Sequence, residues 1–182
     1  MIMKNKTNNT NSSGNSNNSS NPVVIIETSK GNIEIELYPE KAPITVENFL
    51  RYANEGFYDN TVFHRVIAGF MVQGGGFTSD GKEKTTHETI QLESNNGLKN
   101  KEGTIAMART SVPDSATSQF FINAQDNVFL DYSAGNPGYA VFGKVISGME
   151  VVKAIEKVQT TTKFGMKDWP VDDVKIVKAY LK

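Results

Sequence analysis

The chain contains no cysteine. That one absence removes disulfides, thiol nucleophiles and thiolate metal sites together. Only two histidines are present, His64 and His87, so metal-ligand clusters of the usual spacing are missing and neither a metal nor a cofactor is expected. No apolar run approaches the ~18 residues of a membrane span. The first residues also lack the apolar stretch of ~7–15 residues that a secretory signal requires. A cytoplasmic location is therefore expected, with a periplasmic or secreted one as the alternative if a signal has been removed. Charge is balanced: 19 Lys and Arg against 20 Asp and Glu give a net charge of −1. Such a balance supplies no global attraction to nucleic acid or to an anionic membrane, and neither partner is expected.

What is present is ordinary for a globular protein, with 38% hydrophobic and 21% charged residues. A chain of 182 residues can bury a substantial core and defaults to one domain. Two segments are distinguished. In Met1–Asn21, Asn and Ser supply 13 of 21 residues and no apolar residue follows Met3. That stretch cannot bury enough surface to offset its ordering entropy and is expected to be disordered. Residues 22–182 form the folded domain.

The domain opens with a β-branched run, Val23–Thr28, and a turn at Ser29-Lys-Gly-Asn32. The return strand Ile33–Tyr38 sets Ile33, Ile35 and Leu37 against Glu34, Glu36 and Tyr38, one face on a core and one in water. Pro43 then suits the first position of a helix. Val46, Phe49, Leu50 and Ala53 share one helical face, and Gly56 ends the helix. Thr78–Asn100 reads as a long polar surface excursion with His87 exposed, and loops of that length tend to border functional sites. Strands follow at Ile105–Arg109, Gln119–Asn123, Ala140–Val145 and Asp172–Leu181. A second excursion covers Asp126–Gly138, and a second amphipathic helix covers Met149–Val158. The tally is about eight strands and two helices.

The stretch Phe63–Phe77, Phe-His-Arg-Val-Ile-Ala-Gly-Phe-Met-Val-Gln-Gly-Gly-Gly-Phe, carries the chemistry. It reads as two short apolar strands, Val62–Ile67 and Phe70–Gln73, joined through Ala68-Gly69. Gly74–Gly76 lets the backbone turn sharply or approach a ligand closely. One arginine and one glutamine in an apolar wall suit a binding pocket. From these residues alone, an ordinary sheet with its polar side chains in water is the favoured reading, since most arginines are solvated. No Gly-Lys-Ser/Thr follows the glycines, so this is not a phosphate loop.

Phe-His-Arg-Val-Ile…Gly-Phe-Met-Val-Gln-Gly-Gly resembles the signature of the cyclophilins, the peptidyl-prolyl cis-trans isomerases. Gly103-Thr-Ile-Ala-Met-Ala-Arg109, Ser118-Gln-Phe-Phe-Ile-Asn123 and Val141-Phe-Gly-Lys-Val145 resemble further segments of that family. The likeness runs from about Val23 to Lys182 and is nearest to compact single-domain bacterial members. It implies a mainly β fold: a closed eight-stranded antiparallel β-barrel capped by two α-helices. It also implies a prolyl isomerase that assists protein folding, as a monomer acting on proline-containing polypeptides.

The site residues follow from the resemblance. Arg65 and Gln73 would be catalytic. Phe70, Met71, Phe121 and Leu130 would hold the proline ring. Gln119, Ala108 and Arg109 would contact the peptide, the last two through the backbone. Three positions depart from the family pattern: Arg109 where many members have Asn, Tyr139 where many have His, and Phe129 where cyclosporin-sensitive members have Trp. The last implies weak binding of cyclosporin-type cyclic peptides. Two other readings remain: a non-catalytic proline-peptide module on the same fold, and a hydrolase built from scattered Ser and His. The first has no need of Arg65, and the second needs a geometry that sequence order does not reveal.

Overall fold

A computed structural model describes residues 20–182. Up to residue 19, the Asn/Ser-rich segment lies outside the described residues. The elements in chain order are β1 (Val23–Thr28), β2 (Gly31–Leu37), α1 (Pro43–Asn54), β3 (Thr61–Val62), β4 (Arg65–Ile67), β5 (Met71–Gly74), β6 (Thr104–Met107) and β7 (Phe120–Asn123). After a 3₁₀ turn at Val128–Leu130 come β8 (Val141–Ser147), α2 (Met149–Ile155), β9 (Thr160–Lys163), β10 (Met166–Pro170) and β11 (Lys175–Leu181).

Nine strands form one antiparallel sheet in the order β3-β11-β1-β2-β8-β6-β7-β5-β4. Its two ends, β3 and β4, are consecutive parts of one stretch of chain. That stretch pairs with β11 through Thr61 and Val62 and with β5 through Arg65–Ile67. The sheet thus curls until its first and last strands are the same segment. Counted as one strand, Thr61–Ile67 brings the circuit to the expected eight.

Period-two alternation decides what each strand contributes. Inward residues Ile33, Ile35, Leu37, Val72, Ile105, Phe120, Ile122 and Phe142 are buried in the main core. Helix α1 closes one end of the barrel. Its Phe49 ring lies 5.2 Å from Tyr58, 5.2 Å from Phe142 and 5.5 Å from Phe120. Pro43 begins the helix as expected, but its N-cap is Ala42, which has no side-chain acceptor. The acceptor comes from the long excursion: the Glu93 carboxylate receives the N–H groups of Ile44 (3.2 Å) and Thr45 (2.8 Å) and the Thr45 hydroxyl (2.7 Å). A carboxylate there also meets the positive end of the helix dipole.

Three expectations need correction. The hairpin β9–β10 has no counterpart in the sequence reading. Thr160–Lys163 is polar and has no buried residue, so it carries no apolar alternation to read. Helix α2 ends at Ile155 rather than Val158, although Val158 still packs on the core. His87 is not simply exposed: its Nε2 lies 2.6 Å from the Glu55 carboxylate and its backbone N–H donates to the Tyr52 hydroxyl at 2.9 Å. These contacts fasten the excursion to α1.

Candidate active site

The outward face of the sheet builds the site. Pairing places Arg65 opposite Gln73, Gln73 opposite Phe121, Phe121 opposite Ala106, and Ala106 opposite Val141. One row of side chains therefore crosses β4, β5, β7, β6 and β8. Met71, Ala106, Phe121, Leu130 and Val141 form a second, smaller apolar cluster, with Phe70, Ala108 and Tyr139 packed against it.

Over this cluster lies a cavity of about 270 Å³. Its apolar walls are Phe70, Met71, Phe121 and Leu130; Arg65 and Gln73 edge it on one side, and Ala108, Arg109 and Tyr139 on the other. Nine of the eleven residues singled out from the sequence thus meet in one place. Gln119 lies in the adjoining groove with Glu83. Phe129 stands on the rim, 64% exposed, with its ring 5.5 Å from that of Phe70.

The polar groups form a line. Gln73 Nε2 donates to Gln119 Oε1 at 3.0 Å, and Gln119 Nε2 donates to Glu83 Oε1 at 3.4 Å. Only Gly75 of the glycine triplet has positive φ, at 84°. Its neighbours approach protein atoms. A Cβ on Gly74 would meet the Val62 carbonyl oxygen at 2.9 Å, and one on Gly76 would meet Gln119 Cγ at 2.6 Å. Gly76→Ala should push Gln119 aside, break its bond to Gln73 and lower kcat/KM about fivefold in a peptide isomerisation assay.

Arg65 is half exposed, and its Nε lies 3.8 Å from Asp168 Oδ2, itself half exposed. Sequence reasoning missed Asp168, which sits in the unforeseen hairpin and adopts φ 62°. No local signal marks it, because only the packing of β10 beside β4 brings it to Arg65. The Arg109 guanidinium is tied to backbone carbonyls and to a ring beside the cavity. Nε and Nη2 donate to the Gly138 carbonyl at 3.0 and 2.7 Å, Nη1 donates to the Thr110 carbonyl at 2.8 Å, and the group stacks 4.5 Å above the Tyr139 ring. Those bonds occupy all three guanidinium nitrogens of Arg109. Tyr139 in turn meets Phe121 edge-on at 5.6 Å.

His64 points the other way, into the barrel wall, 5% exposed, with its ring 4.6 Å from Phe77. Burial, and then the neighbouring Arg65 charge, push its imidazole down to about 4. It is therefore neutral at physiological pH and remote from any ligand role. Among the described residues, no group of three or more His, Cys, Asp or Glu is arranged to hold a metal. No helix there is long and apolar enough to cross a membrane.

Known proteins share the sequence pattern and the fold. Residues 23–181 match the family described as cyclophilin type peptidyl-prolyl cis-trans isomerase/CLD. Peptidyl-prolyl cis-trans isomerase A of Dickeya dadantii is 61% identical over 137 residues, 75% of this chain and 72% of that protein. Peptidyl-prolyl cis-trans isomerase B of Escherichia coli is 53% identical over 155 residues, 84% of this chain and 94% of that one. A crystal structure of a Cryptosporidium parvum cyclophilin-type isomerase, determined in the presence of the dipeptide Ala-Pro, superposes with a TM-score of 0.76 at 31% identity, covering 88% of this chain and 98% of the other. With the family pattern spanning the whole barrel and relatives more than half identical, this chain belongs to the cyclophilin-type peptidyl-prolyl cis-trans isomerases and has their activity.

Proposed function

We propose that the 270 Å³ cavity is where this chain turns X-Pro bonds, as a monomer acting on exposed proline segments of many polypeptides. The proline ring occupies the apolar walls of Phe70, Met71, Phe121 and Leu130. Arg65 acts on the prolyl nitrogen. The line Gln73–Gln119 receives the peptide carbonyls, and the backbone at Ala108 and Arg109 holds the residues before the proline.

The observation that carries this reading is the cross-strand row Arg65–Gln73–Phe121, which sets one guanidinium at the lip of an apolar cavity. Rotation about the bond needs no nucleophile. Its barrier is amide resonance, and the uncatalysed change takes tens to hundreds of seconds. In the twisted state the nitrogen regains its lone pair and becomes an acceptor. A donor aimed there binds the twisted state better than the planar one, which is what lowers a barrier. Moving from ~100 s to ~1 ms requires roughly 7 kcal/mol. A charge-assisted hydrogen bond supplies about 1.5–3 kcal/mol, so positioning and exclusion of water must supply the rest. The test is exchange spectroscopy on a short X-Pro peptide. Saturable turnover with shifts at Met71 and Phe121 is expected, and turnover with unperturbed cavity signals would overturn the assignment.

We also propose that cyclosporin binds this chain weakly. Phe129 keeps a flat apolar surface on the rim but offers no N–H donor, which leaves an acceptor of the cyclic peptide buried without a partner. That costs about 1–3 kcal/mol, roughly 5- to 150-fold in affinity. Phe129→Trp should recover much of the loss with little change in peptide turnover. Equal cyclosporin affinities for the two proteins, titrated side by side, would remove Phe129 from that role.

A further inference from the structure

Behind the cavity lies a polar core that the chemistry above does not use. Asn100, Asn123 and Asn127 are buried at 2%, 0% and 0% exposure. Their amides form one directed chain. Asn127 Nδ2 donates to Asn123 Oδ1 at 2.8 Å, and Asn123 Nδ2 donates to Asn100 Oδ1 at 3.2 Å. Each end grips the backbone of a residue that walls the cavity. Asn127 Nδ2 also donates to the Phe70 carbonyl at 2.9 Å. Asn100 Nδ2 donates to the Leu130 carbonyl at 3.1 Å and reaches the Tyr139 carbonyl at 3.4 Å. The middle residue is fixed on the sheet: Asn123 is the cross-strand partner of Met71, and its Nδ2 donates to Thr104 Oγ1 at 2.9 Å. Backbone contacts repeat the pattern, with the Asn127 N–H on the Asn100 carbonyl at 2.7 Å and the Asn100 N–H on Asp131 Oδ1 at 2.7 Å.

We propose that Asn100, Asn123 and Asn127 are positioning residues that hold Phe70, Leu130 and Tyr139 at one fixed separation and so set the width of the proline subsite. Sequence order keeps these three wall residues apart. Phe70 belongs to the β4–β5 turn, Leu130 to the 3₁₀ turn and Tyr139 to the segment before β8. The 3₁₀ turn is tied to its surroundings by one backbone bond, from the Tyr139 N–H to the Leu130 carbonyl at 2.9 Å, and the Asn100 side chain adds a second donor to that carbonyl. A carboxamide suits the task because it donates and accepts while remaining neutral. In a dry site, amides aligned head to tail polarise one another, so the chain acts as a unit. A carboxylate would bring a charge, and a leucine would remove the side-chain donors, leaving the Phe70 and Leu130 carbonyls only the Ala124 and Tyr139 N–H groups at 2.9 Å each.

The proposal rests on the cavity being the proline subsite, and the experiment separates the two. Asn100→Ala, Asn127→Ala and the double variant are compared with intact protein in steady-state isomerisation of one X-Pro peptide, corrected for folded fraction. A wall that is displaced weakens ground-state and twisted-state binding alike. KM should therefore rise about fivefold or more in each single variant while kcat stays within about twofold. Because the amides act together, the double variant should show much less than the product of the single effects. Backbone amide resonances at the far end of the chain should also shift: those of the Leu130 region in Asn127→Ala, and those of the Phe70 turn in Asn100→Ala. An unchanged KM accompanied only by a lower melting temperature would reduce the amides to a purely structural part. Fully multiplicative effects would overturn the single chain. Thr104→Val, which removes one hydroxyl from Asn123, carries the test if an alanine variant does not fold: a smaller rise in KM supports the proposal and an unchanged KM overturns it. Leu130→Ala is the control for the subsite. Raised KM there with unaltered relay variants overturns the relay alone, whereas unaltered KM in Leu130→Ala overturns the subsite itself.

Discussion

Alanine in place of Arg65 should lower kcat/KM by about 10- to 150-fold, the loss of a charge-assisted hydrogen bond of about 1.5–3 kcal/mol. The fall should appear in kcat, with peptide binding changed only a few-fold, because the bond forms chiefly in the twisted state. Folding should be nearly indifferent. Arg65 is half exposed, and its recorded ion pair, with Asp168 at 3.8 Å, is long and solvated. Such pairs contribute little to stability. Arg65→Lys should also be poor. A lysine at this position offers a compact point charge, whereas Arg65 can face Asp168 through Nε and still direct its terminal nitrogens to the cavity. Isomerisation of an X-Pro peptide by the intact and substituted proteins decides the matter, and full activity in the alanine variant would sink the assignment.

The second large effect concerns acid. His64 should make the protein lose about 3 kcal/mol of stability between pH 6.5 and pH 4. The imidazole, ordinarily near 6.5, is held at about 4 in the folded protein by burial and by Arg65. The folded state thus binds the proton less readily than the unfolded chain. Its contribution is complete above the unfolded value and disappears as pH falls through the interval to the folded value. A difference of about 2.5 pH units at ~1.4 kcal/mol each gives the magnitude. Protonation would place a cation between Phe77 and Trp169, beside the Arg65 charge. Urea unfolding of the intact protein and His64→Gln, at several pH values from 7.5 to 4, provides the measurement. Lowered carboxyl values at Glu55 and Asp80 are shared by both proteins and cancel. The intact protein's advantage over the variant should shrink steadily with acid, and a constant difference would exclude His64 as the cause.

Much of this molecule was legible because one face of a sheet must be apolar. Ile33, Ile35 and Leu37 announce β2, and Phe49 announces the side of α1 that fills the barrel. The cavity was legible for another reason. Its residues cluster in three short runs, Phe63–Phe77, Gly103–Arg109 and Ser118–Asn123, whose order resembles a family. Asp168 and Glu93 were not legible. Each acts on a partner that local sequence does not indicate, Asp168 through the packing of a polar hairpin and Glu93 across 48 or more residues to the start of α1. The Asn100–Asn123–Asn127 chain was hidden likewise. Asparagine usually signals a turn or a wet surface, and only the fold reveals that these three are dry.

The pairing of β1 with β11 has a consequence for how the protein is made. Val24 lies opposite Leu181, so β1 waits for a partner made more than 150 residues later. The segment Thr61–Ile67 completes its pairing only with β11, although its Arg65 end can find β5 and its Thr61 end Phe77 and Thr78 at once. At ribosomal speeds of about 5–20 residues per second, some 150 residues separate the two partners by roughly 8–30 s. During that interval β1 and β2 can form a hairpin, but the outer edge of β1 stays open and the circuit of strands stays unclosed. A prolyl isomerase of this build therefore closes its barrel only after β11 has been made, and until then the exposed edge of β1 is the part of the newborn protein that a holding chaperone would have to cover.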